Sequence, residues 1–312
     1  MSVLSQPQFH DEEAAHAFLE EALWPHGSVC PHCGVIGNSR RIAANKEKRI
    51  RFGLHVCRDC QKQFTVKVGT VFEHGRIPLH KMLQAVHLIC SSKKGISSHQ
   101  LHRILEVQYK TAWFLSHRIR EAMKAGPILP PMGSGGGTVE VDETFIGRLE
   151  GQPKRASGHN TWKNTVLALV ERGGPSRVFH VEGTTKGELQ KIIRANVSPE
   201  AHIRTDEGRW YLGLGDHFAS HDTVNHSAKE YGRGEVHTNT VEGYFSIFKR
   251  GMKGVYQHCH EKHLHRYIAE FNFRYANRVA LGVNDAARAN RALKGIVGKR
   301  LTYRRLDPIT PA

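Results

Sequence analysis

TVEVD, at Thr138–Asp142, is the stretch on which the fold of this chain depends. Apolar and polar residues alternate along it, which predicts a half-buried β-strand that ends on a carboxylate. The elements expected after it are two strands, a helix and a fourth strand followed at once by Asp206, at Thr165–Val170, Arg177–Glu182, Lys186–Asn196 and Ala201–Thr205. The sequence therefore predicts a mixed sheet with flanking helices, an α/β fold.

The order strand–strand–strand–helix–strand is that of a ribonuclease-H-like sheet, in which the first and fourth strands are neighbours. Because sites in open α/β sheets form at strand ends, Asp142 and Asp206 are expected to meet. Simpler interpretations stay open. Asp142 and Glu143 could be a solvated strand end, Asp206 with Glu207 could be a plain turn, and Glu140 shares the strand face of Asp142.

The segment His237–Arg250, HTNTVEGYFSIFKR, predicts an amphipathic helix. One face, about 80° wide at 100° per residue, carries Asn239, Glu242 and Lys249, whereas the aromatic residues lie opposite. Glu242 is a third candidate carboxylate, and Lys249 lies roughly 10 Å further along the helix, where it could contact a phosphodiester. Alternatively, Asn239 and Glu242 have the spacing of a capping box and Lys249 is a solvated charge.

Three carboxylates are the minimum set for two divalent ions that act on a phosphodiester. Magnesium and manganese favour such oxygen ligands. We therefore expect Asp142, Asp206 and Glu242 to bind magnesium or manganese.

Two Cys-x-x-Cys pairs near the N-terminus, CPHCG and CRDC, contain Cys30, Cys33, Cys57 and Cys60, with 23 residues between the inner cysteines. Two knuckles that each present two thiolates complete the tetrahedral site of a structural zinc ion. A redox dithiol needs only one pair, so the second pair favours zinc, although a redox dithiol and chance pairing are alternatives. A closed four-cysteine site supports a fold and performs no chemistry.

Three short helical patterns follow, and the last, from about Tyr109 to Lys124, is basic. This arrangement predicts helix-turn-helix DNA binding, with an ordinary three-helix bundle as the alternative. The pattern places Trp113, Ile119 and Met123 inside. The residues that we expect to be exposed for DNA are Lys110, Arg118, Arg120 and Lys124, with His117 beside them, and we add Lys249 and Arg250 from the later helix.

A Pro- and Gly-rich stretch at 126–137 predicts a linker. The expected organisation is an N-terminal helix with a zinc ribbon, a helix-turn-helix-like region, the linker, a catalytic domain and a basic tail, at 1–75, 76–125, 126–137, 138–280 and 281–312. The net charge of +16 favours a polyanionic partner, nucleic acid before membrane. No apolar run is long enough to span a membrane and no signal peptide begins the chain, so we expect a cytoplasmic protein.

Four ordered motifs together resemble the DDE transposases of bacterial insertion sequences, in particular the ISXO-type group with an N-terminal zinc ribbon. The motifs are VEVDETFIG at 139–147, RTDEG at 204–208, HTNTVEGYFSIFKRG at 237–251 and FNFRYANR at 271–278. Thirty-five residues separate Asp206 from Glu242, and Lys249 follows seven residues after Glu242, as is frequent in that family. The resemblance covers roughly residues 10–280.

The resemblance implies that Asp142, Asp206 and Glu242 bind the catalytic metals and that Lys249 contacts DNA, with Asn239 as the other candidate for the third position. It also implies double-stranded DNA as partner, at the element's terminal inverted repeats and at the target, a homo-oligomer on that DNA and association with the bacterial nucleoid. The expected activity is strand cleavage by water followed by strand transfer. Two alternatives are a catalytically silent DNA-binding regulator and a ribonuclease-H-fold nuclease that joins no strands.

Overall fold

The computed structural model describes residues 2–45, 47–126, 129–151, 163–228 and 232–302. They form two compact units. The first contains the chain up to residue 92, residues 96–123 and the segment from residue 285 onward, and the second contains residues 93–95 and 124–284.

The first unit opens with helix α1, Glu12–Leu23, and a small antiparallel sheet. Asp11 caps α1 by accepting a hydrogen bond from the backbone N–H of Ala14. The three strands are adjacent in chain order: β1, Ser39–Arg41; β2, His55–Cys57; and β3, Gln63–Phe64. The cysteine pairs lie in and around this sheet, and Cys30, Cys57 and Phe64 form a small buried cluster.

Three helices continue the first unit: α2, Leu79–Ser91; α3, Ser98–Leu105; and α4, Tyr109–Ala122. Ser97 caps α3 by accepting a hydrogen bond from the N–H of Gln100. Pro78 occupies the N-cap of α2. Buried apolar residues of α2 pack against α3 and α4.

The second unit contains a five-stranded sheet of order β6-β5-β4-β7-β8. Its strands are β4, Thr138–Ile146; β5, Asn164–Glu171; β6, Ser176–Val181; β7, His202–Asp206; and β8, Ser220–Val224. The pairs β4–β5 and β5–β6 are antiparallel, whereas β4–β7 and β7–β8 are parallel. The predicted adjacency of the first and fourth strands is confirmed, and the fold is mixed α/β.

Helices cover both faces of the sheet in this unit. Helix α5, Lys186–Asn196, packs with one core cluster that includes Val139, Val141 and Leu167. Helices α6, Asn239–Gly251, and α7, Glu261–Ala276, pack on the other face in a second cluster. A π-helical turn, Met252–Tyr256, follows α6 directly. Because Val139 and Val141 face α5, the alternate residues of β4 face α6 and α7.

The residues interpreted as a basic tail contain a further helix, α8, Asp285–Lys294, which belongs to the first unit. It packs on α2 and also contacts α1 and α4. Arg288 is buried and donates to the backbone carbonyl of Cys90. The buried residues of α8 are Arg288, Ala292 and Leu293, so an arginine occupies part of the face where an apolar stripe would be expected. Residues 303–312 of the predicted tail lie outside the described residues.

The predicted linker is largely part of the second unit. Met132 is buried in the core beneath α5, and its backbone bonds to Asn196 and Ser198. The N–H of Gly135 donates to Glu200. Residues 127 and 128 of this stretch are outside the described ranges. Short 3₁₀ turns occur at Val3–Ser5, Pro7–Phe9, Arg209–Tyr211, Leu214–Asp216, His226–Ala228 and Val279–Leu281. The helices of the described chain are all too short or too polar to cross a membrane.

Candidate active site

Two aspartates meet where strands β4 and β7 separate. The parallel ladder between these strands ends at the pair Glu140–Arg204. Asp142 lies two residues beyond that pair on β4, and Asp206 lies two residues beyond it on β7. Asp142 is not at a strand end as predicted, because β4 continues to Ile146 through its pairing with β5. The opening between β4 and β7 therefore brings the two aspartates together, as a common strand end was expected to do.

Glu143 joins the two aspartates. Ligand oxygens of Asp142, Glu143 and Asp206 all lie within 4.8 Å of one another. The sequence gives Glu143 no role beyond a solvated strand end with Asp142, because adjacent residues of a regular strand point to opposite faces. The sequence offers only the Asp-Glu dipeptide as a signal for it, since the loss of the β7 partner at this point is visible in the structure alone.

Aromatic residues that follow β7 hold the Glu143 carboxylate. Oε2 of Glu143 accepts a hydrogen bond from the Tyr211 hydroxyl at 2.5 Å and another from Nε1 of Trp210 at 3.1 Å. Tyr211 is buried beneath the sheet. These two hydrogen bonds hold the turn after Asp206 against β4. Asp206 is therefore held by its own strand, β7, and by the turn that follows it.

The site concentrates negative charge in a poorly hydrated place. Burial, and then the charges of Glu143, Asp206 and Glu242, raise the pKa of Asp142 to about 8. Burial is also the main cause that raises the pKa of Glu143. A divalent cation would relieve both effects, since it neutralises the mutual repulsion of the carboxylates. The oxygen ligands and their spacing therefore fit a hard cation such as magnesium or manganese.

Helix α6 presents the other predicted site residues. Asn239 and Glu242 are exposed in its first turns, Lys249 is half-buried and Arg250 is exposed. The Lys249 ammonium lies 5.9 Å from the centre of the Phe245 ring. The charge of Glu242 is among the smaller causes that raise the pKa of Asp142. In the described chain, however, the tight acidic group contains Glu143 in place of Glu242.

The capping box considered for Asn239 and Glu242 does not form. Asn239 is already the first residue of α6, so Thr238 is the N-cap. The Thr238 hydroxyl donates to Oε1 of Glu242 at 2.8 Å and does not cap the helix. The bond holds the Glu242 side chain near the start of the helix.

The four cysteines form one cluster in the first unit. Their sulfur atoms lie within 4.8 Å of one another, with Cys30 to Cys60 at 3.7 Å and Cys33 to Cys57 at 3.6 Å. Ligands about 2.3 Å from a tetrahedral zinc ion are separated by about 3.8 Å. Although burial opposes it, hydrogen bonds from the backbone of His32 and from neighbouring groups lower the pKa of the Cys30 thiol. The cluster fits a structural zinc ion.

The predicted DNA-contacting face of α4 is only partly exposed. Lys110 is exposed, whereas Arg118 and Lys124 are half-buried. Arg120 is 1% exposed and donates to the Ser116 hydroxyl at 2.9 Å, so its predicted exposure is wrong. His117, also predicted to be exposed, is buried as well. The cause is tertiary, since α2, α3 and α8 together surround α4.

Comparison with known proteins agrees with the geometry. The ISXO2-like transposase domain family matches residues 135–276, and the transposase zinc-ribbon domain family matches residues 10–63. These two matches together cover more than half of the chain. A protein of Halobacterium salinarum, named as an uncharacterized protein in transposable element ISH50, is 29% identical over 257 residues, 78% of this chain and 83% of the relative.

The matched domains contain both clusters described above. The zinc-ribbon match includes all four cysteines, and the transposase match includes Asp142, Glu143, Asp206 and Glu242. The acidic group therefore lies in a segment similar to the ISXO2-like transposase domain, and the cysteine cluster lies in a segment similar to the transposase zinc ribbon.

Proposed function

We propose that this chain is a DNA transposase that binds the ends of an insertion sequence and catalyses metal-dependent strand cleavage and strand transfer. The observation that carries the proposal is the group of carboxylates from Asp142, Glu143 and Asp206, within 4.8 Å of one another at the opening between β4 and β7. Its position in the matched transposase domain supports this assignment.

The second unit is best explained as a ribonuclease-H-like domain. The strand order β6-β5-β4-β7-β8, with three antiparallel strands first and then two parallel ones, is the order expected for that fold. The helix α5 between β6 and β7, and the helices on the opposite face, agree with it. The fold accounts for two acids on neighbouring strands and a third on a helix.

Asp142 and Asp206 would hold divalent cations, with Glu242 or Asn239 of α6 completing the set and Glu143 as a further candidate ligand. When bound, these ions would supply an activated attacking oxygen and a stabilised leaving oxygen at the scissile phosphodiester. The resulting steps are hydrolysis of one strand at the element's end, which leaves a 3′-hydroxyl, and in-line attack of that hydroxyl on a target phosphodiester. Neither step needs a covalent bond to the protein.

Backbone N–H groups position the two aspartates, and a lysine side chain would position the DNA. The backbone N–H of Glu143 donates to Oδ1 of Asp142 at 2.8 Å, and that of Gly208 donates to Oδ1 of Asp206 at 3.0 Å. These bonds orient both carboxylates toward the shared opening. Lys249, on the same helix as Glu242, would contact a phosphate of the terminal DNA.

DNA recognition is assigned to the first unit. The chain has a net charge of +16, which favours a polyanion. The zinc ribbon and the helix pair α3–α4 are joined in that unit, and Lys110 is exposed at the start of α4. Helix-turn-helix modules read the major groove from the N-terminal residues of their second helix. We therefore place the end-binding surface at the start of α4.

The test is cleavage and joining of a labelled duplex that carries the element's end, with magnesium or manganese. Asp142→Asn and Asp206→Asn should abolish both reactions and leave DNA affinity unchanged or slightly higher, because repulsion decreases. Full activity in either variant would remove the metal-site assignment. Cleavage without joining by the unmodified chain would indicate a nuclease, and binding without cleavage a regulator.

The third ligand is decided by three matched variants in the same assay. Glu242→Gln, Asn239→Ala and Glu143→Gln each remove one candidate, and we expect Glu242→Gln to be the inactive variant. Loss in Asn239→Ala together with an active Glu242→Gln would move the third ligand to Asn239. Loss only in Glu143→Gln would move it to the tight acidic group on β4.

A further inference from the structure

Glu140 is a fully buried carboxylate on β4, two residues before Asp142 and on the same face of the strand. Within the described ranges, the hydrogen bonds that it accepts come from Thr240 and Val241 in the first turn of α6 and from Arg172. A buried charge of this kind is retained only where its partners satisfy it. The sequence shows only that Glu140 shares the strand face of Asp142, whereas in the structure its oxygens are engaged by α6 and Arg172.

The carboxylate caps the first turn of α6. Oε2 of Glu140 accepts from the backbone N–H of Thr240 at 2.7 Å and from that of Val241 at 3.0 Å, and Oε1 accepts from the Thr240 hydroxyl at 2.8 Å. The first amides of a helix have no partner within the helix, and Thr238 supplies no side-chain cap here. The cap therefore comes from the strand that carries Asp142.

Arg172 completes the arrangement. Its Nε donates to Oε1 of Glu140 at 2.6 Å, and its remaining nitrogens donate to the backbone carbonyls of Glu235 and His237, which precede α6. His237 also lies against the carboxylate, with Nδ1 at 3.3 Å from Oε1. One buried ion pair thus connects β4, the segment 235–237 and the start of α6.

We propose that Glu140 is a positioning residue that fixes the first turn of α6, and with it Glu242 and Asn239, relative to Asp142 in the metal site. The inference rests on the proposed function. Asp142 lies two residues from Glu140 on the same strand, and Glu140 caps α6 directly. The distance between Asp142 and the start of α6 can therefore vary little. Groups that orient ligands in this way typically contribute 10- to 100-fold to metal affinity.

The test is Mn²⁺ binding by the full-length, zinc-loaded chain. Binding is measured as the decrease of the electron paramagnetic resonance signal of free Mn²⁺. Glu140→Gln keeps the shape of the side chain but removes its charge and one of the two acceptor oxygens. We expect it to weaken Mn²⁺ binding about 10- to 100-fold, while Asp142 and Asp206 are both still present. Thr240→Val removes only the hydroxyl donor and should weaken Mn²⁺ binding by a smaller factor. This variant tests the inference even if Glu140→Gln folds poorly.

Glu270 provides the matched control. It is also a fully buried carboxylate of the second unit, paired with Arg274 on α7 and hydrogen-bonded to the Tyr256 hydroxyl. Glu270→Gln removes the same charge from a helix that presents no predicted metal ligand. It should lower the thermal unfolding midpoint to a similar extent as Glu140→Gln and leave the Mn²⁺ dissociation constant unchanged.

Two results would overturn the positioning role: wild-type Mn²⁺ affinity in both Glu140→Gln and Thr240→Val, or equal losses in Glu140→Gln and Glu270→Gln. The second would mean that any buried destabilisation disturbs the site. If the unmodified chain bound no Mn²⁺ beyond the level of Asp142→Asn, the proposed metal function itself would fall, and the role of Glu140 with it. Weaker Mn²⁺ binding in Glu140→Gln, with wild-type binding in Glu270→Gln, supports the inference.

Discussion

Replacing Asp142 by asparagine should stabilise the metal-free protein at neutral pH. The carboxyl is held among three other acids, and burial together with their charges raises its pKa from the ordinary 3.8 to about 8. The folded state therefore binds the proton more tightly than the unfolded state does. The corresponding stability is fully present below pH 3.8 and is lost as the pH rises toward 8.

The size of the effect follows from the gap between the two pKa values. At pH 7 the solution is about three pH units above the ordinary value, and each unit corresponds to about 1.36 kcal/mol. The folded state therefore loses up to about 4 kcal/mol at pH 7 relative to acid. Asparagine does not titrate, so Asp142→Asn avoids this cost. For a unit of this size, each kcal/mol shifts the thermal midpoint by about 2–4 °C.

The assay is thermal unfolding of both proteins at pH 4 and pH 7, after dialysis into buffer that contains no magnesium or manganese. The structural zinc ion stays bound, and no chelator is added because chelators favour zinc over manganese. We expect Asp142→Asn to unfold several degrees above the wild type at pH 7, with the difference nearly absent at pH 4. Added Mn²⁺ should stabilise only the wild type, by about 2.7 kcal/mol at a hundredfold excess over its dissociation constant.

Asp216→Asn is the matched control, because Asp216 is an exposed acid of the same unit. It should change the midpoint little at either pH. An Asp142→Asn protein no more stable than the wild type at pH 7, or equally favoured at pH 4, would exclude a raised pKa of Asp142 as the cause.

Four further outcomes are expected. Cys57→Ser should release the zinc ion and unfold the ribbon, which elemental analysis and circular dichroism would detect, and zinc-free wild-type protein with an intact fold would contradict the assignment. Arg120→Ala should lower the free energy of unfolding by about 2–4 kcal/mol through lost buried contacts, with unchanged DNA affinity per folded molecule, and a selective loss of affinity would restore the exposed interpretation. Lys110→Ala should leave stability unchanged and reduce the slope of log affinity against log salt by about 1, whereas an unchanged slope would exclude a phosphate contact. Lys249→Ala should raise the DNA concentration needed for cleavage but retain activity at saturation, and complete inactivity at saturation would point to a direct role in the reaction.

The local patterns predicted most elements of the second unit. Alternation in β4 and the helical period of α5 and α6 were sufficient, because both faces of the sheet are covered and the apolar residues face the core. The adjacency of β4 and β7 also followed from element order. The sequence did not reveal that β4 continues past Asp142, since its last residues pair on one side only.

Charged residues were the main source of error. Arg120 and Arg288 look like surface residues in a basic sequence, yet both are buried where α4 and α8 pack in the first unit. A helical period assigns a residue to a face but cannot say how many neighbours cover that helix. The same limit applies to Glu140, which shares a strand face with Asp142 but caps a helix about one hundred residues later in the chain.

Spacing along the chain was thus enough to predict that the four cysteines cluster, in which order the strands and helices follow, and that Asp142 and Asp206 meet. Each of these features depends on residues close in sequence or on simple rules of sheet topology. Tertiary structure alone decided that Glu143 joins Asp142 and Asp206, that Glu140 holds the start of α6, and that α8 closes the first unit. These features depend on side chains that meet across long sequence separations, where burial and hydrogen-bond satisfaction rather than local pattern select the partners.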